Sequence, residues 1–337
     1  MKFLASADLH IRKKEDCALL ARLLQAAKDA GCGAVLIGGD LLDTPFIEEE
    51  TENAVRALLG AAPCPVFLVA GNHDPLAITA LYRDLPAHVQ VFPAEMTAYT
   101  LADGVRLYGY SALREQVDTR FLAGFSAPEG GINILLAHGQ MDGSHGDFQP
   151  ISAEELAGSN LQLVILGHIH KGEQRRVGGC RLLVPGIPEG RGWDETGDKY
   201  LYIIDTEQLS AEPLSVASRR FMEYEVDLTD CRDTGEMLAK MESLEIPANV
   251  EYRLILVGTA CESPAPAVQA FIEKTGREVK DLTDTFSSLK ELRGQNTLQG
   301  AFVRRAMAEI EAASPEERPR LERALRLGLQ ALKEARL

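Results

Sequence analysis

Residues 66–75 read VFLVAGNHDP. Val66 to Val69 is what a buried strand wants, yet after Ala70 and Gly71 the chain turns to an amide (Asn72), an imidazole (His73) and a carboxylate (Asp74). Ligand-type side chains straight after an apolar run mark the place where scaffold stops and chemistry starts. The pattern recurs. Residues 35–40 (VLIGGD) end in Asp40, residues 134–139 (ILLAHG) carry His138, and residues 163–170 (LVILGHIH) close with His168 and His170. Residues 2–10 (KFLASADLH) open the chain with Asp8 and His10 at the same i, i+2 spacing. Strands buried on both faces read as continuous apolar runs, so these five resemble central strands of a sheet covered on both sides. In open α/β sheets ligands collect beyond the carboxyl ends of the strands, and a cluster of Asp, Asn and His is expected there.

At 337 residues the chain has room for one large domain and an appendage, since single cores seldom grow beyond about 250 residues. A content of 45% hydrophobic and 25% charged residues is ordinary for a globular protein. No apolar run approaches the roughly 18 residues of a membrane span. The opening MKFLASAD meets its first charges too early for a secretory signal and reads as a strand, so the cytoplasm is the expected location. Cys17, Cys32, Cys64, Cys180, Cys231 and Cys261 are scattered without a CxxC pair, which argues against a zinc finger or a disulfide framework. Net charge is -15, and residues 1–217 carry 17 Lys+Arg against 29 Asp+Glu, whereas residues 286–337 carry 10 against 7. An acidic body is a poor independent ligand for nucleic acid, because phosphate neutralisation dominates that affinity.

Between the apolar runs lie helical stretches. Residues 16–31 place Leu19, Leu20, Leu23, Leu24 and Ala27 on one face and end at a glycine, and residues 48–59 repeat the pattern behind an acidic first turn. Residues 97–101 and 105–110, joined by Ala-Asp-Gly, predict a hairpin. Strands alternating with helices imply a layered α/β architecture. Residues 221–228, 234–244 and 252–257 then predict a strand, a helix and a strand, a small separate unit, and residues 263–267 (SPAPA) read as a helix start. In the tail, Leu298, Phe302, Ala306 and Ile310 form one helical stripe. A capping box at residues 314–317 precedes a second stripe of Leu321, Leu325, Leu329 and Leu332. Such stripes pack either on the protein itself or on a partner helix.

Taken singly, an Asp after a strand is usually a turn or helix cap and a His a satisfied polar group. Jointly, imidazole, carboxylate and amide oxygen without thiolate suit a pair of ions such as Mn, Fe or Zn. An acidic residue shared between two ions holds them roughly 3.5–4 Å apart and yields a hydroxide nucleophile at neutral pH, which is equipment for phosphoester hydrolysis. His88 and His145 match no strand end and read as surface or loop residues.

The ordered set Asp8-x-His10, Gly39-Asp40-x-x-Asp43, Gly71-Asn72-His73-Asp74, His138-Gly139 and Gly167-His168-x-His170 resembles the calcineurin-like metallophosphoesterase superfamily. The resemblance implies a layered metallophosphoesterase sandwich, two mixed β-sheets flanked by helices, with a small α+β capping domain and a helical C-terminal tail. The corresponding expected boundaries are 1–217 for the dimetal domain, 218–284 for the capping domain and 285–337 for the tail. It further implies two divalent metal ions, expected to be Mn(II): one held by Asp8, His10, Asp40 and His170, the other by Asp40, Asn72, His138 and His168. His73 would protonate the leaving alkoxide, with Asp43 and Asp74 orienting the ligands and His73.

Within the superfamily the chain is most similar to the bacterial DNA repair exonuclease branch, the SbcD and YhaO-like nuclease subunits. The grounds are the motif order, residues 184–205 (VPGIPEGRGWDETGDKYLYIID) and the small domain after them. That branch implies a DNA phosphodiesterase, exonuclease or endonuclease, whose C-terminal helices bind an SbcC-like coiled-coil ATPase. DNA and this ATPase are the expected partners, no membrane is expected, and a homodimer is allowed. Arg191 in the loop 185–191 (PGIPEGR) and Lys171 after His170 are the expected phosphate contacts, alongside Arg12, Lys13 and Lys14. Asp43-Thr44-Pro45 stands where eukaryotic and archaeal relatives carry a histidine. Two other readings stay open: a phosphodiesterase or phosphatase for a small nucleotide or phosphoprotein, and a non-catalytic scaffold.

Overall fold

The computed structural model describes all residues except 142–147, 261, 286–288, 290–291, 315–316 and 335–337. In it the five apolar runs are strands, but they are shared between two sheets. In chain order the strands of the first part are β1 (Lys2–Ser6), β2 (Val35–Ile37), β3 (Val66–Leu68), β4 (Val89–Val91), β5 (Thr97–Ala102), β6 (Val105–Gly109), β7 (Ile132–His138), β8 (Gln140–Met141), β9 (Pro150–Ile151), β10 (Leu163–Gly167), β11 (Glu173–Val177), β12 (Cys180–Val184), β13 (Leu201–Asp205) and β14 (Ser210–Leu214). One sheet has the order β14-β13-β1-β2-β3-β4 and the other β11-β12-β10-β7-β6-β5. Each is mixed: β1, β2 and β3 run parallel, as do β6, β7 and β10, while antiparallel hairpins lie at one side of the first sheet (β13-β14) and at both sides of the second (β11-β12 and β5-β6).

Alternation along each strand explains the double burial. Phe3, Ala5, Leu36 and Phe67 point inward and meet Ile134, Leu136, Ile165 and Leu183 of the opposite sheet. Their neighbours Leu4, Val35, Ile37 and Leu68 point outward, where helices α1 (Cys17–Asp29) and α2 (Glu49–Gly60) cover them with Leu20, Leu23, Val55 and Leu59. On the far side Leu135, Val164 and Leu166 are covered by Leu156 of helix α3 (Ala153–Gly158). The predicted hairpin is present, β5 pairing antiparallel with β6. An apolar run reports burial of both faces but not which strands pair, because pairing is decided by backbone hydrogen bonds.

The chain divides into two compact units, Met1–Arg220 and Phe221–Leu337. In the second, strand Val250–Val257 lies between Arg220–Asp227 and Val279–Asp281. Helices Thr234–Glu242 and Ala265–Thr275 pack Met237, Met241 and Phe271 against Leu254 and Leu256. Helices Leu298–Ala312 and Arg318–Glu334 pack on each other through Phe302, Val303, Met307, Leu325 and Leu329, while Leu298 and Leu327 stay exposed. Ser314 donates to Glu317 from its backbone and its hydroxyl; Pro315 and Glu316 lie outside the described residues, as does His145. Cys17, Cys32, Cys64 and Cys180 are free thiols. Among the described residues no helix is long and apolar enough to cross a membrane.

Leu136 is fully buried between the two sheets. Leu136→Ala is expected to destabilise the protein by about 2–5 kcal/mol, the usual cost of truncating a core leucine. The half-exposed Leu113 should tolerate the same change within about 0.5 kcal/mol. Denaturant unfolding curves of the two variants measure the difference.

Candidate metal centre

The carboxyl ends of β1, β2, β3, β7 and β10 converge where the two sheets approach closely. A Cβ at Gly167 would overlap the carbonyl of Gly38, and one at Gly71 would overlap the carboxylate of Asp40. Only glycine lets the backbones come this near. The approach also bends the chain into the left-handed region: φ is +54° at Asp8, +48° at His10, +48° at Asp40 and +93° at His168. Non-glycine residues seldom adopt such values, and they persist where the surroundings over-determine them. Four of the seven such residues in the described chain fall in this cluster.

The hydrogen bonds settle which ring nitrogens face inward. Nδ1 of His138 donates to the carbonyl of Gly38 (2.8 Å), and Nδ1 of His170 donates to Oε1 of Glu195 (2.7 Å). Oδ1 of Asp43 lies 2.9 Å from Nδ1 of His10, close but off the axis of a hydrogen bond. With protons on Nδ1 of His138 and His170, their Nε2 lone pairs point into the centre, as in metal-ligating histidines, whereas His168 turns its Nδ1 inward. There Nε2 of His10 faces Nε2 of His170 at 3.0 Å, and the Asn72 oxygen faces Nε2 of His138 at 3.0 Å and Nδ1 of His168 at 3.1 Å. Oδ2 of Asp40 stands between the two groups, 3.4 Å from Nε2 of His138 and 3.7 Å from Nε2 of His10. Lone pairs aimed at lone pairs repel unless positive charge lies among them.

The electrostatics ask for the same charge. Burial pushes Asp8 up to about 6, and burial holds His10 and His168 down near 4, in the neutral form that ligates. Burial also opposes the charged form of Asp40, but His138 and His10 outweigh it and keep its carboxyl well below the usual range. For His138, burial favours the neutral ring, yet Asp40 and Asp8 lift it to about 9. A buried pair of carboxylates is stable only with compensating positive charge, which a proton on His138 or a divalent ion can supply. The donor set of imidazole, carboxylate and amide oxygen fits divalent transition ions, and three overlapping groups, Asp8–His10–His170, Asp8–Asp40–His138 and His10–Asp40–His73, each have ligand atoms within 4.8 Å of one another.

The seven residues predicted as ligands, Asp8, His10, Asp40, Asn72, His138, His168 and His170, are thus brought together. His73 stands at the exposed edge: its backbone N–H donates to Asp40 (2.9 Å) and its Nδ1 donates to the carbonyl of Asp43 (2.9 Å). The Asp74 carboxylate is turned to the neighbouring loops. It is fully buried and accepts from the backbone N–H of Gly71 (2.8 Å) and Leu42 (2.9 Å) and from the Tyr82 hydroxyl (2.5 Å), tying the β3 loop to the β2 loop. Burial, with Asp40 nearby, lifts the pKa of Asp74 to about 7. Arg191 faces inward, donating to Asp43 (2.7 Å) and Glu195 (3.1 Å). Lys171 is exposed, and Arg12, Lys13 and Lys14 pair with Asp16, Glu15 and Glu50. Glu195 escapes a sequence reading because it lies in a short turn, Trp193–Glu195, and not directly after an apolar run. The only hint is its i, i+4 spacing from Arg191.

A family model for the calcineurin-like phosphoesterase superfamily domain matches residues 1–208. A protein of Bacillus subtilis (strain 168), named uncharacterized metallophosphoesterase YhaO, is 25% identical, the match covering 81% of this chain and 76% of that protein. Among solved structures, TT1561 of Thermus thermophilus is 18% identical with a TM-score of 0.44, covering 64% of this chain and 98% of its own. A dimetal phosphatase from Danio rerio is 12% identical with a TM-score of 0.43 over the same shares.

Replacing Gly71 by Ala drives a methyl group into the Asp40 carboxylate. The variant should lose most of its bound divalent metal, read by elemental analysis after dialysis, while circular dichroism reports a retained fold.

Proposed function

The chain belongs to the calcineurin-like phosphoesterase superfamily, and from that premise we propose that this metal-dependent phosphoesterase is a dimetal DNA phosphodiesterase. One ion would be held by Asp8, His10, Asp40 and His170, the other by Asp40, Asn72, His138 and His168, with manganese as the working metal. Bound there, two divalent ions activate water and neutralise phosphate charge. The residues do the rest. Asn72 presents its oxygen to both His138 and His168. His73 is the proton donor. Its Nδ1–H is committed to the Asp43 carbonyl, which leaves Nε2 as the open ring position, and in the doubly protonated ring that nitrogen would hold the proton that a departing alkoxide needs. This anchored, exposed imidazole beside a buried ligand cluster is the observation that carries the reading, because a binding scaffold has no use for it.

The choice of DNA rests on similarity to the repair nucleases in motif order and in the loop at residues 185–191. A coiled-coil ATPase bound to the C-terminal helices would supply the DNA-binding surface that an acidic chain lacks. A second reading has an observation in its favour. Beside His73 lies a cavity of about 360 Å³ lined by Asp43, Thr44, Pro45, Asn72, His73, Glu115 and Gln116, with no lysine or arginine in that lining. That volume is typical of a small-molecule site, and it suits a small nucleotide or another compact phosphoester.

His73→Ser is expected to lower turnover roughly 10²- to 10⁴-fold, the usual contribution of a general acid, with metal content unchanged. The assay compares linear double-stranded DNA, single-stranded DNA and a small chromogenic phosphodiester in Mn(II). DNA cleavage lost in the variant supports the nuclease. Hydrolysis of the small ester alone, persisting when a coiled-coil ATPase subunit is added, would replace it by the second reading. Loss of metal from the variant would contradict the role given to His73.

A further inference from the structure

His10 and His170 come from different sheets, yet their Nε2 atoms meet at 3.0 Å. Rings placed this way need to be held from behind, and the groups behind them are both carboxylates: Asp43 at 2.9 Å from His10 and Glu195 at 2.7 Å from His170. Two like charges so near each other repel. Arg191 lies between them, with Nη1 donating to Oδ1 of Asp43 (2.7 Å), Nη2 to Oε1 of Glu195 (3.1 Å) and its backbone N–H to Oε2 of Glu195 (2.8 Å). The contacts run His10, Asp43, Arg191, Glu195, His170 and return to His10 through the facing Nε2 atoms. All three supporting side chains are largely shielded, Glu195 being only 10% exposed.

Among the described residues the other half of the centre has no such carboxylate backing. Nδ1 of His138 is bonded to a neutral carbonyl, that of Gly38 (2.8 Å), with Asp8 more distant at 3.8 Å, and Asn72 contributes a neutral amide. A carboxylate behind a ligating imidazole raises its basicity and fixes its tautomer, and losing it typically weakens metal binding 10- to 100-fold. A planar guanidinium is the group whose rigid fork can hold two carboxylates at set positions.

We propose that Asp43, Arg191 and Glu195 are positioning residues that make the half-site of Asp8, His10 and His170 the tighter of two unequal metal sites, so that it fills first. The inference rests on the dimetal reading of the centre. It also changes the role of Arg191, whose fork is turned onto the two carboxylates and away from substrate phosphate.

The test is calorimetric titration of metal-free, full-length protein with Mn(II), with metal content measured after dialysis. Native protein is compared with Glu195→Gln, Arg191→Lys and, for the other half, Asn72→Ala. The native protein should bind in a tight and a weaker class. Glu195→Gln keeps the shape and removes the charge, and Arg191→Lys keeps the charge and removes the fork. Each should weaken the tight class roughly 10- to 100-fold and leave the weaker class in place, with activity recovering at raised Mn(II). Asn72→Ala should remove only the weaker class. Native affinities for both classes in the Glu195 and Arg191 variants, with a raised KM for the ester, would overturn the clamp and return Arg191 to the phosphate. Two equal classes in the native protein would overturn the asymmetry. Failure of the native protein to bind Mn(II) at all would overturn the dimetal reading itself.

Discussion

Two carboxylates, Asp8 and Asp40, sit almost without solvent exposure at the seam of two sheets, and the rest of the centre answers the cost of holding negative charge out of water. Desolvation penalises each carboxylate by several kcal/mol unless partners compensate. Here the compensation comes from all sides. The backbone N–H of His168 donates to Asp8 (3.0 Å), that of His73 donates to Asp40 (2.9 Å), and the imidazole of His138 is drawn toward its charged form between the two. A centre arranged so tightly around negative charge is a receptacle for cations.

Holding these groups together requires backbone that the side chains themselves disfavour. Asp8, His10, Asp40 and His168 adopt left-handed conformations, each costing on the order of 1–3 kcal/mol. The strain is tolerable because rigid elements determine the geometry on both sides. The inter-sheet layer anchors the strand ends, and Asp74 staples the β2 and β3 loops through two backbone N–H groups and the Tyr82 hydroxyl. Asp74 thus acts on the backbone that carries Asp40 and Asn72, while the carbonyl of Asp43 holds His73.

Charge also shapes what the centre can attract. The protein carries a net charge of -15, and Arg12, Lys13, Lys14 and Arg191 are each engaged with acidic side chains. Affinity for a phosphate backbone scales with the cations that neutralise it. Positive charge at the reaction centre therefore falls to divalent ions.

The strand ends and their polar residues were legible in the sequence because burial on both faces leaves an uninterrupted apolar run, and any Asp, Asn or His directly after it stands out. That local signal sufficed for Asp8, His10, Asp40, Asn72, His73, His138, His168 and His170, and amphipathic spacing sufficed for the helices. It could not say that β1, β2 and β3 belong to one sheet and β7 and β10 to the other, since strand pairing is a contact between backbones far apart in the chain. Nor could it find Glu195, set in a turn with no apolar run before it, or tell that Arg191 faces Asp43 across 148 positions of sequence. Which residues gather at the strand ends was written in local pattern; which nitrogen of each imidazole faces inward, and what holds it there, was decided only when the two sheets closed on each other.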